Sequence, residues 1–254
     1  MASKELEAAL AAARAASEVI RAYYQQSPGV RLKADASPVT EADVRSEEVI
    51  RATLSERFPG YGFYGEETGK HAMDAENVWL VDPIDGTKAF VREIPFFSTQ
   101  IALLRAGRLV LGVSSAPAYG ELAWAEEGGG AYLNDRQVRV SSVGALAQAA
   151  ISTGNLRSLS RSPRWQHLGR LVGAAGYLRG YGDFVHYHLL ARGALEVVLE
   201  SDVNILDIAA LTVIVREAGG MFTDLAGREL DLDTTSVLAG TPTLHGHALT
   251  LGLG

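Results

Sequence analysis

A chain of 254 residues is long for one small core and short for two full-sized domains, so one large or two tightly packed small units are expected. Its 47% hydrophobic and 21% charged residues exclude disorder as the main theme, and 30 acidic against 23 basic residues, a net charge of −7, argue against a broad nucleic-acid-binding face. Having no cysteine, the chain can form no disulfide, thiolate metal site or cysteine nucleophile, so any metal must be held by oxygen or imidazole.

The alanine-rich N-terminus is broken by Lys4, Glu5, Glu7, Arg14 and Glu18 before an apolar run can form, so it does not read as a signal peptide. No stretch approaches the roughly 18 to 20 apolar residues that span a bilayer, and a cytoplasmic protein without membrane partners is expected. Leu6, Leu10, Ala13, Ala16, Ile20 and Tyr24 recur at helical spacing, predicting an amphipathic helix over 3–25 that stops before Ser27-Pro28-Gly29. Thr40 followed by Asp43 has the form of a capping box behind Pro38, predicting a helix over 40–57 with Thr40 as its cap and Asp43 in its first turn. Val78 to Val81 reads as a buried strand. From Thr99 to Val140, apolar segments punctuated by Ala106-Gly107, Gly128-Gly129-Gly130 and Asn134-Asp135 predict an antiparallel meander. Beyond Ser142 the pattern changes to strands at 149–153, 195–199 and 237–239, alternating with helices near 164–174, 183–192 and 205–218, the last capped by Gly219-Gly220. Two layered halves follow, 1–141 and 142–254, with a cleft between them.

The informative segment runs from Trp79 to Lys88, where an apolar strand delivers Asp82 and Asp85 and Gly86-Thr87 opens another element. Two carboxylates at a strand end can converge on one hard cation, joined by a backbone carbonyl such as that of Ile84. The amides of Gly86 and Thr87 would point outward as donors to an anion. Taken alone, the same string is equally a turn with a capping aspartate. Its company is Gly65-Glu66-Glu67-Thr68-Gly69 upstream, Asp207 at the head of an apolar helix downstream, and Lys33, Thr40 and Asp43 before both. Other motifs fail on spacing. Gly65 to Lys70 is one residue short of a Walker loop, Gly180-Tyr181-Gly182 lacks a third dinucleotide-binding glycine, and His186 with His188 reads as the polar face of a helix rather than a zinc pair.

Lys33 to Asp43, Gly65-Glu66-Glu67, Asp82 to Thr87, and Leu206-Asp207 followed by Glu217 to Gly220 resemble, in order and spacing, the signatures of the inositol monophosphatase superfamily. One departure is Leu206, where that family usually carries Trp. The resemblance implies a layered α-β-α-β-α sandwich, an antiparallel N-terminal sheet plus a smaller C-terminal α/β half, and a Mg²⁺-dependent phosphomonoesterase. By the same resemblance Glu66, Asp82 and the Ile84 carbonyl would hold one Mg²⁺, and Asp82, Asp85 and Asp207 a second. Glu66 could carry a further ion through waters. Thr87, supported by Asp43, would orient the attacking water, Gly86 and Thr87 would bind phosphate, and Lys33 would approach the metal-water cluster from its loop. The family's dimers imply a homodimer.

For the substrate, Gly182 resembles the position at which inositol phosphatases present backbone to sugar hydroxyls, yet Asp183 follows it. Asp183, joined by Glu200, favours a positively charged phosphorylated metabolite over a neutral polyol. Arg179 to Phe184, with Leu189 to Gly193, resembles the histidinol-phosphate phosphatase branch. The alternative for Asp183 is a helix cap. Inositol 1-phosphate, bisphosphate nucleotides and sugar phosphates stay open as substrates, and a catalytically silent metal- or anion-binding protein is the rival from another class.

Overall fold

The computed structural model describes residues 2–25, 30–32 and 38–253. In chain order the first half comprises α1 (Lys4–Tyr23), β1 (Val30–Leu32), β2 (Pro38–Thr40), α2 (Glu41–Arg57), β3 (Gly62–Gly65), β4 (Gly69–His71), β5 (Asn77–Asp85), α3 (Thr87–Val91) and a meander of β6 (Ser98–Arg105), β7 (Arg108–Ala116), β8 (Glu121–Glu126), β9 (Gly130–Leu133) and β10 (Arg136–Val138). The second half comprises β11 (Ala150–Thr153), α4 (Trp165–Ala174), β12 (Tyr177–Arg179), α5 (Asp183–Ala191), β13 (Val197–Ser201), α6 (Ile205–Glu217), β14 (Met221–Thr223), β15 (Ser236–Gly240) and α7 (Pro242–Ala248).

An eight-stranded sheet has the order β10-β9-β8-β7-β6-β5-β3-β4 and is antiparallel except where β3 runs parallel to β5. A five-stranded sheet has the order β12-β11-β13-β15-β14, with β11 parallel to both neighbours and β15 antiparallel to both of its own. Strand alternation sorts the large sheet's side chains into two cores. Trp79, Val81, Ile101 and Leu103 face α1 and α2, where Ala8, Ala9, Ala12, Ala13 and Ala16 are fully buried and let the helix approach closely. Val78, Leu80 and Ala102 face the other way and share a core with Phe184 of α5, Ala209 and Ala210 of α6, and Val198 and Ala239 of the small sheet. The far side of the small sheet packs on α4 and α7 through Ile151, Leu199, Leu168, Leu171 and Leu244. The result is the expected α-β-α-β-α sandwich, with α5 and α6 as the central layer.

The short pairings β1–β2 and β3–β4, strands β12 and β14, and helix α7 have no counterpart in the sequence reading. Each is seven residues or fewer, too brief for periodicity to mark. His186 and His188 are not a polar helix face: both are buried and point apart. His186 Nε2 meets Glu200 Oε2 at 3.1 Å, and His188 meets Glu121 and Ser114, each at 2.9 Å. Burial, the largest influence, lowers the His188 pKa, while the Glu121 contact opposes it.

Candidate active site

Asp82 lies on the same face of β5 as Leu80, toward the central layer. A fully regular strand would send Asp85, three residues on, to the opposite face. The pairing prevents this: Asp82 pairs with Gln100 and Asp85 with Ser98, so one extra residue is bulged out at Pro83–Ile84 and the two aspartates turn to one side. Proline suits that position because the disrupted ladder needs no N–H from it. The turn is held by Thr99 Oγ1, which donates to the Pro83 carbonyl at 2.9 Å, and by the Ile84 amide, which donates to Asp82 Oδ1 at 3.0 Å.

Glu66 follows β3, whose parallel register sets Gly65 beside Val81, and its amide donates to the Val81 carbonyl at 3.1 Å. That register places Glu66 beside Asp82. Asp207 enters from α6, where it is the third helical residue and closes a capping box on Asn204. Oxygens of Asp82, Asp85 and Asp207 lie within 4.8 Å of one another. The charges of Glu66, Asp85 and Asp207 all bear on Asp82. Leu206, where a tryptophan was the norm, is buried in the central core, and the smaller side chain still delivers Asp207 to the cluster.

α2 begins with the same device. Thr40 caps it, and Asp43 accepts from the Thr40 amide at 2.7 Å and hydroxyl at 2.6 Å. The other Asp43 oxygen lies 3.2 Å from Thr87 Oγ1, which is also 3.0 Å from the Ile84 carbonyl. A carbonyl has two lone pairs, so Ile84 can accept from Thr87 and still serve a cation.

Burial, then mutual repulsion, pushes Asp82 and Asp85 well above the ordinary carboxylate range. Burial also lifts Asp207 to about 7, and burial with the nearby Glu200 charge lifts Asp183 to about 6. Among the described residues, no lysine or arginine forms an ion pair with Asp82, Asp85 or Asp207. An all-oxygen cluster that repels itself in this way fits hard divalent cations, which take oxygen donors and relieve the repulsion.

These residues open onto a cleft of about 460 Å³. Glu66, Asp82, Ile84, Asp85, Gly86, Thr87, Asp183 and Asp207 all line it, and Asp43 sits buried behind Thr87. Asp183 does not cap α5: Gly182 holds the N-cap position, and Asp183 is the first helical residue, at a φ of 44°. Glu200 does not line the cleft. Only 3% exposed, it accepts from the Asn155 amide at 3.1 Å and the Tyr187 hydroxyl at 3.0 Å, besides its contact with His186. Lys33 lies outside the described residues. Sequence reasoning missed Lys88, Arg92, Asn155, Asp202 and Asn204, which share the cleft wall. Asn204 carried a legible signal, since Asn-x-x-Asp before an apolar run repeats the pattern of Thr40 and Asp43.

The layered sandwich and the acidic cluster beside a helix-opening Gly-Thr define a phosphatase that hydrolyses phosphate monoesters. The chain belongs to the inositol monophosphatase family, whose model matches residues 1–251. It is 39% identical over 233 residues to a histidinol-phosphatase of Mycobacterium tuberculosis, covering 89% of this chain and 90% of that protein. It is 38% identical over 220 residues to an inositol-1-monophosphatase of Mesorhizobium japonicum, covering 85% and 82%. The crystal structure of extragenic suppressor protein suhB from Bartonella henselae superposes with a TM-score of 0.91 at 31% identity, covering 98% of both chains. No helix among the described residues is long and apolar enough to cross a membrane.

Proposed function

We propose that the protein is a Mg²⁺-dependent phosphatase whose substrate is histidinol phosphate. Glu66, Asp82, Asp85, Asp207 and the Ile84 carbonyl would hold two Mg²⁺, with Glu66 able to carry a third through waters. Bound divalent cations supply Lewis-acid polarisation of the ester and a water acidic enough to attack it. The chain's own groups do the remaining work. Thr87, whose single hydroxyl proton is within reach of Asp43 and the Ile84 carbonyl, would turn its oxygen's lone pairs toward the attacking water and fix its approach. Gly86 and Thr87, at the cleft wall, offer backbone donors to the phosphoryl oxygens.

The observation that carries the substrate reading is Asp183. Asp183 lines the same cleft as the metal-ligand candidates, and burial and the Glu200 charge raise its pKa to about 6. An ammonium or imidazolium placed there would ionise it fully and gain a charge-assisted hydrogen bond, which a neutral polyol cannot do. Glu200, behind the wall, adds field rather than contact. The histidinol-phosphatase of Mycobacterium tuberculosis supports this reading; the inositol-1-monophosphatase of Mesorhizobium japonicum, equally similar, supports inositol 1-phosphate as the second. A small, charged, diffusible substrate fits a cytoplasmic homodimer that needs neither membrane nor nucleic acid.

Phosphate release from histidinol phosphate and inositol 1-phosphate decides between them. Histidinol phosphate should be turned over with the higher kcat/KM, and Asp183→Ala should reduce that value by more than it reduces the value for inositol 1-phosphate. Equal losses on both substrates would remove Asp183 from recognition.

A further inference from the structure

Glu47 lies one helical turn beyond Asp43 on α2, on the same face, and is 1% exposed. A carboxylate is costly to bury without partners, and this one is held by two main-chain donors. The Glu67 amide donates to Oε2 and the Thr68 amide to Oε1, both at 2.8 Å. Both belong to the turn that starts at Glu66. On the other side, the Glu66 amide is fixed to Val81 of β5.

The chain makes room for this carboxylate at Gly65. A Cβ there would stand 2.5 Å from Glu47 Oε1 and 2.6 Å from Oε2, so any larger residue would push the two apart. Glu66 is therefore gripped from both ends: its own amide by the sheet, the two following amides by Glu47. Through Asp43 and Glu47 a single helix thus supports two parts of the cleft, the hydroxyl of Thr87 and the turn of Glu66.

We propose that Glu47 is a positioning residue that sets the divalent-cation affinity of the site by clasping the Glu66 turn. It touches neither substrate nor reacting atoms and acts through the backbone of Glu67 and Thr68. The proposal rests on the reading of the acidic cluster as a cation site. Groups that orient metal ligands typically change metal affinity about 10- to 100-fold when removed.

The test is calorimetric titration of Mn²⁺ into the full metal-free chain, wild type against Glu47→Gln. Glutamine keeps the shape but turns an NH₂ toward one of two amide donors, opening half of the clasp. The expected result is Mn²⁺ affinity lowered about 10- to 100-fold, with a midpoint of thermal unfolding close to wild type. Affinity within twofold of wild type would overturn the role of Glu47 alone, whereas a wild-type chain that binds no Mn²⁺ would overturn the cation-site reading with it. Hydrogen exchange on the wild-type chain tests the clasp even should the variant not fold. The Glu67 and Thr68 amides should be protected without metal, and exchange at the rate of open loop amides would overturn the proposal.

Discussion

Asp207 accepts hydrogen bonds from the backbone and side-chain nitrogens of Asn204, at 2.8 and 2.7 Å, while its carboxyl joins the cluster around Asp82. One side chain thus closes a helix and furnishes a metal-ligand candidate. Both roles place negative charge at a helix N-terminus, where the peptide dipoles favour it. Asn204→Ala removes the cap and the side-chain donor to Asp207 while keeping the backbone one, so it should cost about 0.5–2 kcal/mol of stability, read from urea unfolding. It should also weaken Mg²⁺-supported phosphate release. Wild-type turnover in that variant would show that Asp207 holds its place without Asn204.

The raised carboxyl pKa values make the metal-free protein sensitive to alkali. Asp207 is lifted to about 7 from an unfolded value of 3.8, and Asp82 and Asp85 move the same way. The folded state therefore keeps protons that the unfolded chain has lost. Stability from these groups is complete below about 3.8 and is lost as pH rises through about 7. Glu121 and His188, both lowered, act in the opposite sense and lose stability as pH falls. The increment in unfolding temperature produced by Mg²⁺ isolates the cluster from these two. It should be larger at about pH 8 than at about pH 5, because only the ionised cluster repels itself and binds cations. An increment independent of pH would mean that these carboxyls do not hold the ion.

Asp85→Asn separates charge from shape. The substitution deletes one negative charge facing Asp207, Asp183 and Glu200, so the metal-free variant should unfold at a higher temperature than wild type. Turnover at saturating Mg²⁺ should fall by about 10²–10³ or more, on the scale of losing one electrostatic group that acts in the transition state. A variant both less stable without metal and fully active would contradict the coordination proposed for Asp85.

The long elements were legible because they repeat one rule over many residues. The alanine and leucine stripe of α1, the capping box at Thr40 and Asp43, and the meander after Thr99 each left a pattern that the fold reproduces. The convergence of Asp82 and Asp85 depends on a bulge, which shows in the sequence only as a proline, and the approach of Asp207 depends on packing across two sheets. The strand-end position of the two aspartates suggested the first, and only family resemblance reached the second. Glu47, Glu200 and His186 were illegible in their roles for a different reason. A buried polar residue reads as surface in a sequence until its partners, here main-chain amides and a tyrosine hydroxyl, are seen around it.

Gly86 has little freedom to change. Its φ of 89° is one that side-chain-bearing residues avoid, and an added Cβ would lie 2.6 Å from the Phe96 carbonyl oxygen, a backbone atom unable to rotate away. Gly86→Ala should therefore cost about 1–3 kcal/mol from backbone strain alone. The accommodating shift would displace Thr87, whose hydroxyl is set to about 3 Å on Ile84, and reacting groups misplaced by an ångström can lose about 10²-fold in rate. Thermal unfolding and phosphate release measured on the same preparation give both effects. A stable Gly86→Ala chain with undiminished kcat would show that the turn between β5 and α3 has slack and that Thr87 does not depend on it.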